Sequence, residues 1–400
     1  MPRVAIVGVP PRRDLRRLMT KLSELGYAVV TVDTDPDEPF ADTVEASIRV
    51  PSFGFDDVIP ELTRYHGVRP LDGVALFHEL SVEVSTRAAA ALGLPHFPVA
   101  DVAGCTDKLG MRRWMRRKRI PCPPFAGVVT LDEARVAGRE IGYPMVVKPA
   151  RGAAGYGVTR IDEERDLERF FANTSIFWEP RQFILERFMP GHEVSVETVT
   201  DADGGSTHAA VFDKPQVLDG PYFLTNIFIT TGCLGPAELT AARDAVSDMI
   251  VRLELKGCVT HTELRLTPDG PVVIEFGLRP IGWPGPLCVE AATGVDLVAA
   301  MAAIACGEQP DVTPYDVAVA GWRYLTVSKT GTVTGLPHVN AIRARKSTID
   351  ASVWAAFGDR VGTPPEDFHY VKGYLAAVGS TPMEVAEALR TEDWVLSTSP

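Results

Sequence analysis

The sequence lacks any cysteine spacing that indicates a metal or redox motif. No two of its six cysteines form a CxxC pair, so neither a zinc knuckle nor a dithiol redox site is predicted. We expect reduced thiols, most of them buried, because an unpaired cysteine behaves as a small apolar side chain. The six are Cys105, Cys122, Cys233, Cys258, Cys288 and Cys306.

A long apolar run is also missing. The amino-terminal stretch MPRVAIVGVP and the stretch from Val295 to Cys306 are both too short for a signal peptide or a membrane span. We therefore expect a cytoplasmic protein without a membrane partner.

Basic residues are fewer than acidic ones, at 40 Lys and Arg against 52 Asp and Glu, a formal net charge of −12. An acidic chain does not attract polyphosphate non-specifically, so no nucleic-acid partner is predicted. A local basic cluster from Arg112 to Arg119 is interpreted as a solvated helix face.

The composition is that of a folded protein with more than one unit. Over 400 residues, 46% are hydrophobic and 23% charged, which predicts two to four packed units. Near the amino terminus, RVAIVGV, YAVVTVDTD and VALFH alternate with helical patterns that end at Gly26 and Gly93. This alternation predicts a parallel sheet covered on both faces, a small Rossmann-like domain.

A dinucleotide site in that domain is an alternative that the sequence disfavours. After the first strand the chain reads GVPPRRD instead of GxGxxG, and Pro10 and Pro11 stand where glycines would let a backbone approach a pyrophosphate. Asp33 ends the second strand, where a ribose-binding acid could lie. An NAD-linked oxidoreductase is therefore kept only as a rival that predicts a cofactor absorbing at 340 nm.

The remaining chain predicts three further units. Strand patterns recur at QFILERF, HEVSVETVT, THAAVF, CVTHTELRL and PVVIEFGLR, with hairpin turns at DADGG and TPDG. Helices are expected at 236–255 and 295–306, and short strands and one helix in the last ninety residues. The predicted units are 1–105, 106–190, 191–310 and 311–400, giving an α/β fold that is α+β in part.

The segment VVKPARGAAGYGV has the pattern of a phosphate site. Lys148 ends an apolar strand, so its ammonium can emerge at the sheet edge. The loop that follows can surround phosphate oxygens with backbone N–H groups, because its small residues leave room for close approach. It is not a Walker A loop, since no GKS or GKT follows. The loop residues are Gly152, Ala153, Ala154, Gly155, Tyr156 and Gly157.

The segment LERFMPGHEVSVE is predicted to hold a nucleoside. Glu186 ends one strand and Glu193 begins the next. The hinge Arg187, Phe188 and Met189 can supply an apolar slot and backbone hydrogen bonds for adenine. A carboxylate seven positions after Glu186 suits the two hydroxyls of a ribose.

The segment HTELRLTPDGPVVIEFGLRP predicts a metal site. Glu263 and Glu275 lie on two strands joined by a TPDG turn, and cross-strand side chains on one face approach closely. Two carboxylates repel unless a cation lies between them. Mg²⁺ suits such a pair, because it takes one or two carboxylates together with phosphate oxygens.

In this order, TDK, VVKPARGAAGYGV, ILERFMPGHEVSVE, HTELRL and VVIEFGLRPIG resemble the ATP-grasp superfamily over roughly residues 75–310. The resemblance implies an ATP-grasp enzyme with ATP and Mg²⁺ as cofactors, Mn²⁺ being able to replace the latter. It implies that Lys108 and Lys148 contact phosphates, and Lys214 in VFDKPQ is a looser match to a further phosphate lysine. The roles expected from the patterns for the loop, the hinge, Glu193, Glu263 and Glu275 agree with it.

One departure from the family pattern concerns the last motif, which is usually ExNxR. This chain has Glu275, Gly277 and Arg279, so the asparagine and its amide oxygen are missing. A weak or inactive nucleotide-binding protein is therefore an alternative. Arg279 is retained, and its guanidinium can stabilise an acyl phosphate or the tetrahedral species that follows.

HTE combined with EFGxR is most similar to carboxylate–amine ligases of the L-amino-acid ligase type. The resemblance implies that ATP phosphorylates a small carboxylic acid and that an amine then attacks the acyl phosphate. ATP-grasp carboxylases, which activate bicarbonate, remain a second alternative. The oligomeric state stays open, with a homodimer as one option.

Three further residues are candidates for recognising the substrate. His261 lies two residues before Glu263 on the same strand face, so it is expected to hold a substrate carboxylate or position the amine, with a core histidine as the alternative. The side chain of Trp283 is expected to form one wall of a pocket. Arg323 is expected either to reach the site or to form an ordinary salt bridge.

Overall fold

The structure is a computed structural model that describes residues 1–8, 12–35, 42–174, 182–215, 217–218, 221–313, 315 and 318–399. Pro10 and Pro11, on which the case against a dinucleotide loop rests, lie outside the described residues. The remaining expectations for strands and helices can be compared with the structure directly.

The amino-terminal unit is a four-stranded parallel sheet in the order β3–β2–β1–β4, as predicted. All six residues of its second strand, AVVTVD, are buried, because helices cover both faces of the sheet. Its elements are β1 (Arg3–Val7), α1 (Arg12–Glu24), β2 (Ala28–Asp33), β3 (Ala46–Arg49), α2 (Phe55–Val68), β4 (Gly73–Ala75) and α3 (Val82–Ala91).

The fourth strand is shorter than VALFH predicts. It ends at Ala75, because residues 77–79 leave the sheet to line the central cavity. A short 3₁₀ turn, Glu79–Ser81, follows.

Two helices connect this unit to the next, α4 (Val99–Thr106) and α5 (Lys108–Arg117). Asp107 caps α5, since its carboxylate accepts a hydrogen bond from the backbone N–H of Gly110 at 2.7 Å. The interpretation of the basic cluster as a solvated face is wrong for Arg112. That residue is 1% exposed, because it shares the buried face of α5 with Leu109 and Met115.

The second sheet is small and antiparallel, in the order β5–β8–β6–β7. Thr130 and Glu133 form a capping box at the start of the first helix on this sheet, which fixes where that helix begins. The elements are β5 (Phe125–Val128), α6 (Leu131–Ile141), β6 (Met145–Pro149), β7 (Thr159–Ile161), α7 (Glu164–Thr174) and β8 (Phe183–Arg187).

The third sheet has eight strands in the order β15–β14–β9–β10–β13–β16–β20–β18. The DADGG and TPDG turns join the hairpins β9–β10 and β14–β15, as predicted. Its strands are β9 (His192–Thr200), β10 (Ser206–Asp213), β13 (Ile227–Thr230), β14 (Cys258–Thr267), β15 (Gly270–Gly277), β16 (Val319–Thr326), β18 (Thr348–Val353) and β20 (Val371–Gly379). A separate pair of short strands consists of β11 (Val217–Leu218) and β12 (Leu224–Thr225).

Helices pack on this large sheet at several points. They are α8 (Pro236–Leu253), α9 (Gly285–Thr293), α10 (Leu297–Ala305), α11 (Val339–Arg343) and α12 (Pro382–Leu389). A last three-stranded sheet contains β17 (Gly331–Gly335), β19 (Arg360–Val361) and β21 (Ser397–Ser399). The predicted division at residue 310 stays a prediction, and the eight-stranded sheet continues across it.

The largest core cluster joins the first unit to the large sheet. α10 packs against both α1 and β4. Gly73 allows this approach, because a Cβ at that position would lie 2.3 Å from the carbonyl oxygen of Ala305. The first unit therefore sits directly on the helices that follow β15.

Among the described residues, no single helix is long and apolar enough to cross a membrane. α9 and α10 meet the length and composition test only as a pair, which is bent by 106°.

Candidate active site

A cavity of about 830 Å³ lies where the first unit, the small sheet and the large sheet meet. This volume is near the upper end of the range for small-molecule sites, about 300–1,000 Å³. All the residues predicted for the site line the cavity except Gly157. They are Lys108, Lys148, Gly152, Ala153, Ala154, Gly155, Tyr156, Glu186, Arg187, Phe188, Met189, Glu193, Lys214, His261, Glu263, Glu275 and Arg279.

The cavity differs in charge from the chain as a whole. Eight lysines and arginines and six aspartates and glutamates line it, whereas acidic residues predominate over the full sequence. A concave site with an excess of positive charge favours an anionic ligand.

One end of the cavity carries two buried lysines. Lys108 begins α5, and its ammonium donates to the carbonyl oxygen of Gly152 at 2.6 Å and pairs with Glu275 at 3.0 Å. Lys148 lies on β6 and pairs with Glu186 at 2.7 Å. Both ammonium groups therefore stand between the small sheet and the acidic hairpin.

Glu186 is held in a buried ion cluster. Its carboxylate accepts from Arg112 at 2.5 Å and from Lys148, and the side chain is 3% exposed. Burial opposes ionisation, but the two cations outweigh it and lower the pKa of Glu186. Sequence reasoning missed Arg112, although its spacing from Leu109 and Met115 marks the apolar face of α5.

The Gly-rich loop runs past this end of the cavity. Ala154, Gly155 and Gly157 have positive φ angles of 56°, 69° and 73°. Backbone N–H groups in a loop of tight turns can converge on an anion, as they do in phosphate-binding loops. The ring of Tyr156 packs against those of Phe368 and His369, with centroids 5.2 and 5.1 Å apart.

The hinge between β8 and β9 supplies an apolar surface. The Phe188 ring stacks against Phe223 at 6.0 Å, and the guanidinium of Arg160 lies over the Phe188 ring at 4.5 Å. Arg187 donates through its side chain to the carbonyl oxygen of Ile141. The sequence predicted the hinge, but the long-range contacts of Phe188 with Phe223 and Arg160 were missed.

The acidic pair lies on one face of the large sheet. Glu263 on β14 is directly opposite Glu275 on β15, so both carboxylates leave the sheet on the same side. Lys214, which follows β10, pairs with Glu263 at 2.5 Å and with Glu193 at 2.9 Å. Burial opposes the charge of Glu263, but Lys214 and His261 hold the pKa of its carboxyl well below its usual range.

Glu193 is paired with two cations, Lys214 and a second residue. Its second oxygen pairs with Arg265 at 2.6 Å, across the β9–β14 ladder. A ribose hydroxyl would have to share these acceptors, because each carboxylate oxygen can accept more than one hydrogen bond. Its predicted role stays a prediction.

His261 forms a buried pair with Glu197. Its Nδ1 lies 2.7 Å from Glu197, and its Nε2 lies 3.5 Å from Glu263. Burial alone would lower the pKa of this imidazole, but the two carboxylates raise it to about 9. Sequence reasoning missed Glu197, although the alternation in HEVSVETVT places it on the same face as Glu193.

Arg279 is held by a residue of the first unit. Its Nε donates to Glu79 at 2.8 Å, and Glu79 is buried. The same carboxylate fills the space beside Gly277, where a Cβ would lie 2.5 Å from Glu79 Oε2. Glu79, which precedes Arg279 by 200 residues, thus occupies the space next to position 277, where the family pattern has asparagine.

The donor set fits Mg²⁺. Glu263 and Glu275 offer hard carboxylate oxygens directly across one ladder, and each is held by a lysine. Within the described part of the chain, no group of three or more His, Cys, Asp or Glu could hold a metal ion by itself. Further ligands would have to come from phosphate oxygens and water, as is usual for Mg²⁺.

Trp283 and Arg323 differ in their placement. Trp283 lines the cavity, and its indole N–H donates to the hydroxyl of Tyr374 at 3.0 Å. Arg323 lies outside the lining and donates to the carbonyl oxygen of Leu389 at 3.3 Å. The alternative in which it reaches the site is therefore wrong. Within the described part of the chain it forms no salt bridge, because its side chain turns toward the end of α12.

The comparisons with known proteins agree with this geometry. A family model described as the ATP-grasp domain matches residues 141–286. Alanine–anticapsin ligase of Bacillus subtilis is 27% identical over 64% of this chain and 59% of its own length. The crystal structure of L-amino acid ligase from Bacillus licheniformis covers 100% of this chain and 99% of its own, with a TM-score of 0.85 and 22% identity.

A carboxylase is also similar in fold. The biotin carboxylase domain of Hydrogenobacter thermophilus 2-oxoglutarate carboxylase, solved with MgADP and bicarbonate, has a TM-score of 0.74 and 17% identity. The match covers 99% of this chain and 90% of that one.

The chain therefore contains an ATP-grasp domain and has the ATP-grasp fold, as the sequence predicted. Enzymes of this class use ATP and Mg²⁺. Amino-acid ligases are among the relatives and the structural neighbours of the chain.

Proposed function

We propose that this protein uses ATP to phosphorylate a small carboxylic acid and then joins it to the amino group of a second small molecule, most suitably an amino acid. The observation that carries the proposal is the placement of Glu263 and Glu275 across one ladder, in the same cavity as Arg279 and the lysines 108, 148 and 214. The similarity to alanine–anticapsin ligase and L-amino acid ligase supports it.

The cations of the cavity have a clear role in this proposal. Lys108, Lys148 and the loop 152–157 contact the phosphates of ATP, and Lys214 adds a further positive charge. Glu263 and Glu275 would hold Mg²⁺, which when bound neutralises charge on the β- and γ-phosphate oxygens. The hinge 186–189 receives adenine and Glu193 the ribose.

The proposed reaction has two steps. A carboxylate oxygen of the acid attacks the γ-phosphorus, and the bond to the β-phosphate oxygen breaks to release ADP. The amine nitrogen then attacks the acyl carbon, phosphate leaves with the C–O bonding pair, and the nitrogen loses a proton. Arg279 stabilises the negative charge of the tetrahedral species, because a fixed guanidinium needs no reorganisation.

His261 lines the cavity between two carboxylates in this scheme. Its Nδ1 is held by Glu197 and its Nε2 faces Glu263, so its positive charge is balanced by these two acids. Both expected roles, holding a substrate carboxylate and positioning the amine, stay open.

The experiment is a phosphate-release screen against pairs of amino acids, with products identified by mass spectrometry. We expect amide products with ADP and phosphate, no turnover in Lys148→Ala, and unchanged turnover in the control Lys256→Ala, an exposed lysine outside the cavity. Full activity of Lys148→Ala would contradict the site.

Two competing functions have their own outcomes in the same screen. The similarity in fold to a domain solved with bicarbonate supports a carboxylase as a second candidate. A carboxylase would release ADP when supplied with bicarbonate and would not do so when supplied with amino acids. Gly277 favours a nucleotide-binding protein with little chemistry, which would bind MgATP but release no ADP with any acid.

A further inference from the structure

Helix α5 carries two cations on one buried face. Lys108 and Arg112 are four residues apart, and side chains at this spacing lie on the same face of a helix. Lys108 is 7% exposed and Arg112 is 1% exposed. Cations this deeply buried need partners, because an unpaired charge inside a protein is strongly destabilising. The partners therefore show which parts of the molecule the helix holds together.

The contacts of Arg112 join two different sheets. Its Nε donates to Oε1 of Glu186, near the end of β8 in the small sheet, at 2.5 Å. Its Nη2 donates to the carbonyl oxygen of Ile274 on β15, in the large sheet. Lys108 joins the Gly-rich loop to Glu275 on the same strand. Helix α5 therefore braces the small sheet against the strand that carries Glu275.

Each oxygen of the Glu186 carboxylate is taken by a different cation. Arg112 donates to Oε1, and the ammonium of Lys148 lies 2.7 Å from Oε2. Glu186 is 2% exposed, so little of its carboxylate faces the cavity. A side chain engaged in this way is poorly placed to bind a base as well. Its contacts indicate that it orients Lys148 instead.

The charges of these three side chains do not cancel. Arg112 and Lys148 each carry a positive charge and Glu186 a negative one, so one positive charge is left over. Lys148 lines the cavity, and Arg112 is not among its lining residues in the described part of the chain. The excess charge therefore reaches the cavity through the ammonium of Lys148. Without Arg112, the other two side chains would form a neutral pair that attracts an anion less strongly.

Resting on the proposed function, we propose that Arg112 is a positioning residue for the phosphates of the nucleotide, although it does not touch them. Arg112 balances the charge of Glu186, so that Lys148 keeps its own charge available for a phosphate oxygen. The second contact of Arg112, with the carbonyl of Ile274, fixes the separation between that lysine and Glu275, the predicted metal ligand. The group recognised in this way is the phosphate chain of a nucleoside diphosphate or triphosphate, and the base and the sugar take no part.

Binding of MgADP and of adenosine separates this role from general support of the fold, because adenosine has the base and the sugar but no phosphate. In isothermal titration calorimetry of the full chain, Arg112→Met should raise Kd for MgADP at least about tenfold, which is the effect of one lost charge interaction. The same variant should change Kd for adenosine by less than about twofold. The control Arg113→Met, on the exposed face of the same helix, should change neither value.

Two further variants keep the test decisive if Arg112→Met does not fold. The side chain in Arg112→Gln can still donate to Glu186 but carries no charge, so the same loss of MgADP affinity is expected. Arg112→Lys keeps a cation and should hold Kd for MgADP within about threefold of the unmodified protein. Equal losses in the Gln and Lys variants would overturn the proposed sharing of charge. Thermal unfolding of each variant shows whether the fold is kept.

Steady-state kinetics gives a second readout. In the two neutral variants, KM for ATP should rise about tenfold, and KM for the amino-acid substrates should stay within about twofold. In Arg112→Lys, a single ammonium cannot serve both Glu186 and the carbonyl of Ile274, so kcat should fall while KM for ATP is kept. A purely structural role would lower the amount of active protein, and so kcat, with every KM unchanged.

Failure of this inference differs from failure of the proposed function. Equal weakening of MgADP and adenosine binding in the neutral variants, or unchanged binding of both, would overturn the role of Arg112 and leave the ligase standing. A loss confined to MgADP, in a protein that forms no amide from any pair of substrates, would support the role of Arg112 and overturn the ligase.

Discussion

Gly277 provides a stringent test of how the first unit meets the acidic hairpin. A methyl group at this position would lie 2.5 Å from Glu79 Oε2, whereas ordinary contacts begin at 3.4 Å. The carboxylate would have to retreat by about 1 Å. Because it already bonds Arg279 at 2.8 Å, that movement would break a charge-assisted hydrogen bond.

The expected magnitude follows from these two effects. Overpacking in a well-packed interior costs about 1–3 kcal/mol, and the lost hydrogen bond is of similar size. The two effects are alternatives in part, because the overpacking is relieved as the carboxylate moves, so we expect Gly277→Ala to lower the free energy of unfolding by about 2 kcal/mol. With an unfolding entropy of about 2.1 cal/mol/K per residue, this corresponds to a fall of about 2 °C in Tm, measured by thermal unfolding of the full chain.

A double-mutant cycle isolates the contact. In a Glu79→Ala background the added methyl group has room, so Gly277→Ala should cost less than about 0.5 kcal/mol there. The control is Gly67→Ala in α2, where a Cβ meets nothing within 4 Å and helix propensity predicts a gain of up to about 1 kcal/mol. Equal costs in both backgrounds would refute the placement of Glu79.

Three further changes test other parts of the site. Arg112→Met should lower the free energy of unfolding by about 3 kcal/mol, because it leaves the buried carboxylate of Glu186 with only one cationic partner, a lysine. The control Arg113→Met, on the exposed face of the same helix, should change the free energy of unfolding by under about 0.5 kcal/mol. Equal shifts of Tm in the two variants would contradict the buried role of Arg112. Glu275→Gln should raise the Mg²⁺ concentration for half-maximal ATP turnover at least about tenfold; an unchanged titration would remove Glu275 from the metal site. In magnesium-free buffer, protonation of His261 should stabilise the fold by roughly 3 kcal/mol below pH 6.5, and this should be lost as pH rises through about 9. Denaturation from pH 6 to 10 should show that slope, and His261→Gln should not.

Local patterns predicted most of the strands and the acidic hairpin. The four-residue TPDG turn fixes the register of β14 on β15, so Glu263 had to lie opposite Glu275 or a neighbour of Glu275. The alternation of side chains along the two strands identified Glu275 as the partner. The glycines after Lys148 similarly encode their own loop conformation. These features depend on residues that are close together in the sequence, so they could be predicted from the sequence alone.

Contacts between distant segments could not be read in this way. Glu79 meets Arg279 across 200 residues, and the packing of the first unit on later elements, such as β4 on α10, brings them together. The short β4 has the same cause, since residues 77–79 turn away toward the cavity. Tyr374, which fixes Trp283, follows no nucleotide motif at all.

Two partners could have been found with closer attention to periodicity. Glu197 alternates with Glu193 on β9, and Arg112 shares a helix face with Leu109 and Met115. For Arg112 the charge suggested a solvated position, while the spacing places the side chain inside. The nucleotide and metal roles assigned to the site residues remain predictions that the experiments above decide.

The continuity of the eight-stranded sheet limits how segments of this protein could be exchanged with those of a relative. A graft of the last ninety residues from a relative would have to reproduce the hydrogen-bonding edge of β13 as well as the side chains that face the ligand. Selectivity and catalysis are therefore expected to change together in chimeras cut near residue 310, whereas a single substitution at Trp283 leaves the ladder whole.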